Sequence, residues 1–136
     1  MNTPYFLNLV AGNVFRSKTS PAIPSNYYIG LSKSAPTLAG GNVTEPSTSA
    51  GYARVKLNNL SEPANGVVSN NAAIQFNEST ADWGTVTHFV IFDDATVGSG
   101  NLLMYGALST PRTVESATIM TIKAGYLKLS AQNPTT

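Results

Sequence analysis

Val86-Thr87-His88-Phe89-Val90-Ile91-Phe92, followed after a glycine-rich gap by Leu102-Leu103-Met104-Tyr105-Gly106-Ala107-Leu108, decides the fold class. Both runs are short, rich in β-branched, aromatic and aliphatic residues and bounded by turn-formers, which is the pattern of strands. Their apolar residues are consecutive, so both faces of each strand require cover, from the same chain or from a second subunit. Val97-Gly98-Ser99-Gly100-Asn101 between them is a flexible turn. Working outward, segments of period two recur at 26–33 (NYYIGLSK), 52–57 (YARVKL), 72–76 (AAIQF), 118–123 (TIMTIK) and 126–130 (YLKLS). The alternation of Ala53-Arg54-Val55-Lys56-Leu57 predicts Ala53, Val55 and Leu57 inward with Arg54 and Lys56 in water. Asn65-Gly66, ahead of Val67-Val68, fits a type I′ turn. Short strands at this turn-separated spacing predict an all-β, antiparallel β-sandwich, and jelly-roll-like and immunoglobulin-like orders both fit the periodicity.

Composition agrees. Ser, Thr and Asn make up close to a third of the 136 residues, and these side chains favour strands and turns over helix interiors. Charged residues are 11% of the chain against roughly 25% in a typical soluble domain, and the formal charge is +1. No basic field exists to hold nucleic acid, and no apolar run approaches the roughly 20 residues that cross a bilayer. Met1-Asn2-Thr3-Pro4 carries no basic region, so a secretory signal is not expected. Cysteine is absent, which removes disulfides and thiol chemistry.

One helix is expected, at residues 3–16, with Thr3 as N-cap, Pro4 at N1, and Phe6, Leu9, Val10 and Val14 on one apolar stripe. Pro21 and Pro24 end it and predict a hinge. The organisation is therefore a helical arm and hinge at 1–24, a sandwich at 25–130 and a tail at 131–136. The stripe requires a partner, either the domain's own sheet or a neighbouring subunit, and the hinge favours the neighbour. Residues 34–50 (SAPTLAGGNVTEPSTSA) lack periodicity and read as a long exposed loop of the kind that makes contacts.

Candidate chemistry is sparse. His88 is the only histidine, no Gly-x-Ser-x-Gly elbow accompanies it, and it reads as a hydrogen-bonded structural residue. One histidine without cysteine makes no transition-metal site. Asp93 and Asp94 follow a strand and read as turn caps, while Glu45, Glu62, Glu78, Asp82 and Glu115 fall near turn residues and read as solvated. Asn42-Val43-Thr44 and Asn77-Glu78-Ser79 match a glycosylation acceptor by chance composition. No catalytic, cofactor-binding or metal residue is expected, and the chain reads as a non-enzyme. Tyr27, Tyr28, Tyr52, Tyr105 and Tyr126 fall on predicted strands, where half-burial accounts for most of them; exposed tyrosine beside Asn and Thr is also the chemistry of sugar and protein contacts.

Ala81-Asp82-Trp83-Gly84-Thr85-Val86-Thr87-His88-Phe89 with Ile91-Phe92-Asp93 is more distinctive. It is preceded by Tyr28-Ile29-Gly30-Leu31-Ser32, Ala35-Pro36-Thr37, Glu45-Pro46, Gly51-Tyr52-Ala53-Arg54 and Ile74-Gln75-Phe76. It is followed by Gly100-Asn101-Leu102-Leu103, Tyr105-Gly106, Pro111-Arg112-Thr113-Val114 and Ala124-Gly125-Tyr126-Leu127. In order and spacing this set resembles a family of small bacteriophage tail-fibre-like virion structural proteins. The resemblance implies a non-enzymatic virion part, tail- or fibre-associated, with other virion proteins as partners and no cofactor. A capsid decoration protein and a carbohydrate-binding module that grips a host surface glycan are the alternatives. The chain departs from the family where Glu115-Ser116-Ala117 replaces a glycine turn. On physical grounds Trp83 anchors one end of the sandwich, Gly84 permits a bend beside its indole, and Arg54 on the polar face could pair with Asp82 or Asp93. Strands apolar on both faces and a detached helix together predict a homo-oligomer.

Overall fold

The computed structural model describes residues 1–17 and 21–131, and shows a helix followed by antiparallel β-structure. Helix α1 (Pro4–Phe15) starts where the chemistry requires, for Thr3 Oγ1 accepts from the Phe6 N–H at 3.3 Å and proline occupies the first turn. Strands β1 (Tyr28–Ser32), β2 (Val55–Lys56), β3 (Val67–Ser69), β4 (Ile74–Gln75), β5 (Gly84–Phe92), β6 (Leu102–Val114), β7 (Thr121–Ile122) and β8 (Lys128–Ser130) follow. One sheet has the order β2-β1-β5-β6, and the remaining strands form two ribbons, β3-β8 and β4-β7. β5-β6 is thus nested in sequence inside β4-β7, and that inside β3-β8, which is the pairing logic of a jelly roll.

Strand β5 is central, and its alternate residues serve two layers. Phe89 and Ile91, with Ile29 and Leu31 of β1 beside them, face a core closed by Phe6 and Leu9 of α1 and by Ile74, Leu127 and Leu129 of the ribbons. Val90 and Phe92 face a second cluster with Leu102, Val43 and Tyr105. The chain itself covers that second face. Residues 33–51 fold back, with Val43 packed on that second cluster, Pro46 buried and Ala50 reaching the first core, rather than standing free in solvent. Lys33 N–H donates to Thr44 O at 2.8 Å and Thr44 N–H to Ser32 Oγ at 3.1 Å, so the loop is laced to the end of β1.

The strands expected at 52–57, 72–76 and 118–123 shorten to two residues each, and two strands depart further from the periodic reading. Val67–Ser69, expected only as the far side of a turn, is a strand of its own, paired to β8 with Val68 opposite Leu129. β6 runs on through Pro111 to Val114, because it is the last strand of its sheet and loses no ladder bond to a proline there. Its register with β5 jumps from His88↔Ala107 to Val86↔Arg112, so Leu108 to Pro111 bulge outward.

The helix is docked on this sheet. Met1 to Thr3 lie along the outer edge of β6, where Thr3 N–H donates to Leu103 O at 2.9 Å and Tyr105 N–H to Met1 O at 2.9 Å. Thr3 Oγ1 donates to Leu102 O at 2.7 Å, and Asn2 Nδ2 reaches Ser130 O at 2.8 Å. The expected hinge falls partly, and the expected tail almost wholly, outside the described residues.

Candidate functional site

The polar residues that could carry chemistry divide into those consumed by the fold and those left facing water. Arg54 belongs to the first group. Strand β2 begins only at Val55, so the alternation does not extend back to Arg54, which turns inward. Its partner is Glu45, not Asp82 or Asp93. Nε and Nη2 donate to the two carboxylate oxygens at 3.0 and 2.7 Å, with side-chain exposures of 1% for Arg54 and 6% for Glu45. Nη1 donates to Asp94 O and Ser99 O at 2.7 and 2.9 Å, and the guanidinium lies 3.7 Å from the Phe92 ring centroid. Glu45 is thus a buried counter-ion rather than a solvated loop residue. Tyr52 completes the cluster, donating its hydroxyl to Glu45 Oε2 at 2.6 Å and accepting the Leu31 N–H at 2.9 Å. Burial, reinforced by the Glu45 charge and hydrogen bond, raises the Tyr52 phenol well above its ordinary value of 10. Gly30 is what admits this cluster to the sheet, since a Cβ there would meet Tyr52 Oη at 2.5 Å and Glu45 Oε2 at 2.8 Å. With every guanidinium nitrogen of Arg54 engaged, the cluster pins the long loop to the sheet.

Trp83 is buried at 2% exposure, its Nε1 donates to Ala50 O at 2.9 Å, and Tyr52 meets its ring edge-on at 5.3 Å. Gly84 takes φ +86°, the left-handed bend that glycine allows. His88 is half-buried with Nδ1 2.8 Å from Thr87 Oγ1. Asp94 accepts the Thr96 N–H at 2.8 Å and Asp93 the Asn101 N–H at 2.7 Å, so both cap turns. Asp82 accepts the Ser116 N–H at 2.8 Å. Among the described residues no three His, Cys, Asp or Glu side chains are grouped to hold a metal ion. No described helix is long and apolar enough to cross a membrane.

Two buried polar residues that sequence reading passed over organise the far end of the molecule. Ser79 Oγ donates to Glu115 O and accepts the Thr118 N–H at 3.0 Å, holding the turn in which Ala117 takes φ +61°. Asn70, 1% exposed, donates to Lys123 O at 2.9 Å and accepts the Leu127 N–H at 2.9 Å, while its carbonyl accepts Gly125 N–H at 2.7 Å. A buried asparagine amid turn-formers has no periodic signature; beyond the local bond to Ala72 O, the partners that reveal its role lie more than fifty positions away.

What faces water is apolar at one end of α1 and mixed beside β6. Phe6 and Leu9 of the predicted stripe are buried in the chain's own core and Val10 packs at its margin, but Val14 is 62% exposed and Phe15 84%. The four residues therefore do not form one free face. Elsewhere, the outward bulge of β6 and the turn held by Asn70 enclose a groove of about 500 Å³ with Phe89 at its floor and Arg112, Lys123 and Tyr126 on its walls. A smaller apolar groove, about 260 Å³, lies between Phe6, Leu57, Leu60 and Leu129.

The comparison with curated proteins found no match. A family model described as podophage GP4 fiber I protein gp80 matches residues 3–130, almost the whole chain, and the chain belongs to this family.

Proposed function

We propose that this podophage fibre protein, a component of the virion, is a non-enzymatic structural part that assembles through protein–protein contacts, with copies of itself and with other virion proteins. The observation that carries the reading is the split of α1. Its first half is locked into the core, while Val14 and Phe15 at the far end are 62% and 84% exposed among the described residues. A large aromatic at 84% exposure beside a second exposed apolar residue is an interface anchor in waiting, since aromatics dominate the energetics of protein contacts. The polar clusters support the same reading, because Arg54, Glu45, Tyr52, Asp93 and Asp94 are each engaged in holding loops.

The test is the double variant Val14→Asp, Phe15→Asp. Both side chains are outside the core, so the melting temperature should hold while incorporation into particles and self-association are lost. Normal incorporation of the double variant would sink the assembly role of this end of α1.

A second reading, adhesion to a glycan of the host surface, is favoured by one observation: the groove beside β6 presents Tyr126 at 75% exposure. Aromatic faces against which sugar rings can lie, with hydroxyls around them, are how proteins grip carbohydrate.

A further inference from the structure

The groove beside β6 has a charge as well as a shape. Its lining includes the cations Arg112 and Lys123, the hydroxyls of Ser109, Thr110 and Thr121, and the Tyr126 ring, and among the described residues no carboxylate. That is unusual in a chain whose eight cations are nearly matched by seven acids. The ring and a cation are already side by side, with Lys123 Nζ 6.0 Å from the Tyr126 centroid.

The groove is also rigidly built. One wall is the bulge of β6, a fixed register jump against β5. The other is the turn 123–127, which Asn70 grips from inside through Lys123 O, Gly125 N–H and Leu127 N–H, while Tyr126 N–H donates to Lys123 O at 3.1 Å. A buried residue that directs two of its three side-chain hydrogen bonds and its backbone carbonyl at the turn presenting an exposed tyrosine does what a binding platform needs: it pays the ordering entropy before the ligand arrives. The core needs no aromatic at 126, since Leu127 and Leu129 already face it.

Resting on the glycan reading above, we infer that this groove is selective for acidic polysaccharide, sugar rings carrying a carboxylate such as uronates. A sugar ring lies on Tyr126, its hydroxyls meet the Ser and Thr hydroxyls, and its carboxylate is held by Lys123 and Arg112. Neutral sugars would satisfy the ring and the hydroxyls and leave both cations unpaired. Acidic protein would satisfy the cations alone.

Titration calorimetry of the full chain with tetragalacturonate, with a neutral galactose tetramer and with a tetraglutamate peptide separates these cases. Binding of tetragalacturonate alone is expected. Tyr126→Ala should weaken it about tenfold or more, and so should Arg112→Gln with Lys123→Gln, a loss on the order of one standard contact. All three residues are exposed, so melting temperatures should stay level. Equal binding of the neutral tetramer would overturn the acid selectivity and leave glycan adhesion standing. Binding of no sugar at all would end both, and so would a tetraglutamate that binds as well and is indifferent to Tyr126→Ala, since it would mark a plain cationic patch.

Discussion

At the scale of single residues, Trp83 and Tyr52 carry the sharpest expectations. Trp83→Ala empties a site that is 2% exposed and removes the bond to Ala50 O, so it should cost about 3–5 kcal/mol in chemical denaturation. His88→Ala, at a half-buried position with one neighbouring hydroxyl, should cost far less, and equal losses for the two would show that the indole is no anchor. Tyr52 makes stability depend on alkaline pH. Below pH 10 the phenol is protonated in both states and adds no slope. Above it the unfolded chain releases the proton and the native fold retains it, so the native state binds more protons and stability falls as pH rises. Urea melts at rising pH should show this decline and Tyr52→Phe should flatten it, leaving a smaller slope from Tyr27, whose phenol is also raised by burial and by Asp93. The tryptophan's burial was legible from its place between a turn and an apolar strand. The inward course of Arg54 was not, because alternation informs only within a strand, and here the strand is two residues long. Its partner Glu45 sits in a segment with no period at all, so no local pattern could join them.

Elements were legible in proportion to their length. β5, with nine residues, and α1, with twelve, lie where their periods put them; β3, with three, was visible only as the flank of an Asn-Gly turn. What the helix packs on was a different matter, since a stripe of apolar residues states a need for cover without saying whose surface supplies it. Its hydrogen bonds along β6 and the burial of Phe6 and Leu9 supply the answer for its first half. Deleting residues 1–16 should therefore lower the melting temperature by exposing core, in contrast to the unchanged melting that a freely swinging arm predicts. Leu9→Ala alone should cost about 2–5 kcal/mol, and a truncated chain as stable as the intact one would return the whole helix to the role of a detachable arm.

For the molecule as a whole, the sequence indicated layered antiparallel β-structure, yet the nesting of its pairs depends on contacts between positions far apart. The outermost contacts join the two ends: Asn2 bonds to Ser130, and Thr3 to Leu102 and Leu103. This has a consequence for biosynthesis. A nascent chain that has emerged only as far as β5 has its first helix but no β6 edge to receive it and no β8 to close β3. Folding cannot finish on the ribosome until nearly the last described strand is free, because those closures join residues of the greatest separation. Ribosome-stalled chains that expose only residues 1–95, and so lack β6, should be cut by protease within α1, whereas released chains should resist. Early protection would mean that α1 docks before its partner strand has completed the sheet. By the same reasoning, a prematurely terminated copy lacks the strand whose Ser130 carbonyl accepts from Asn2 Nδ2, and it should be digested faster by protease than the chain that closes this contact.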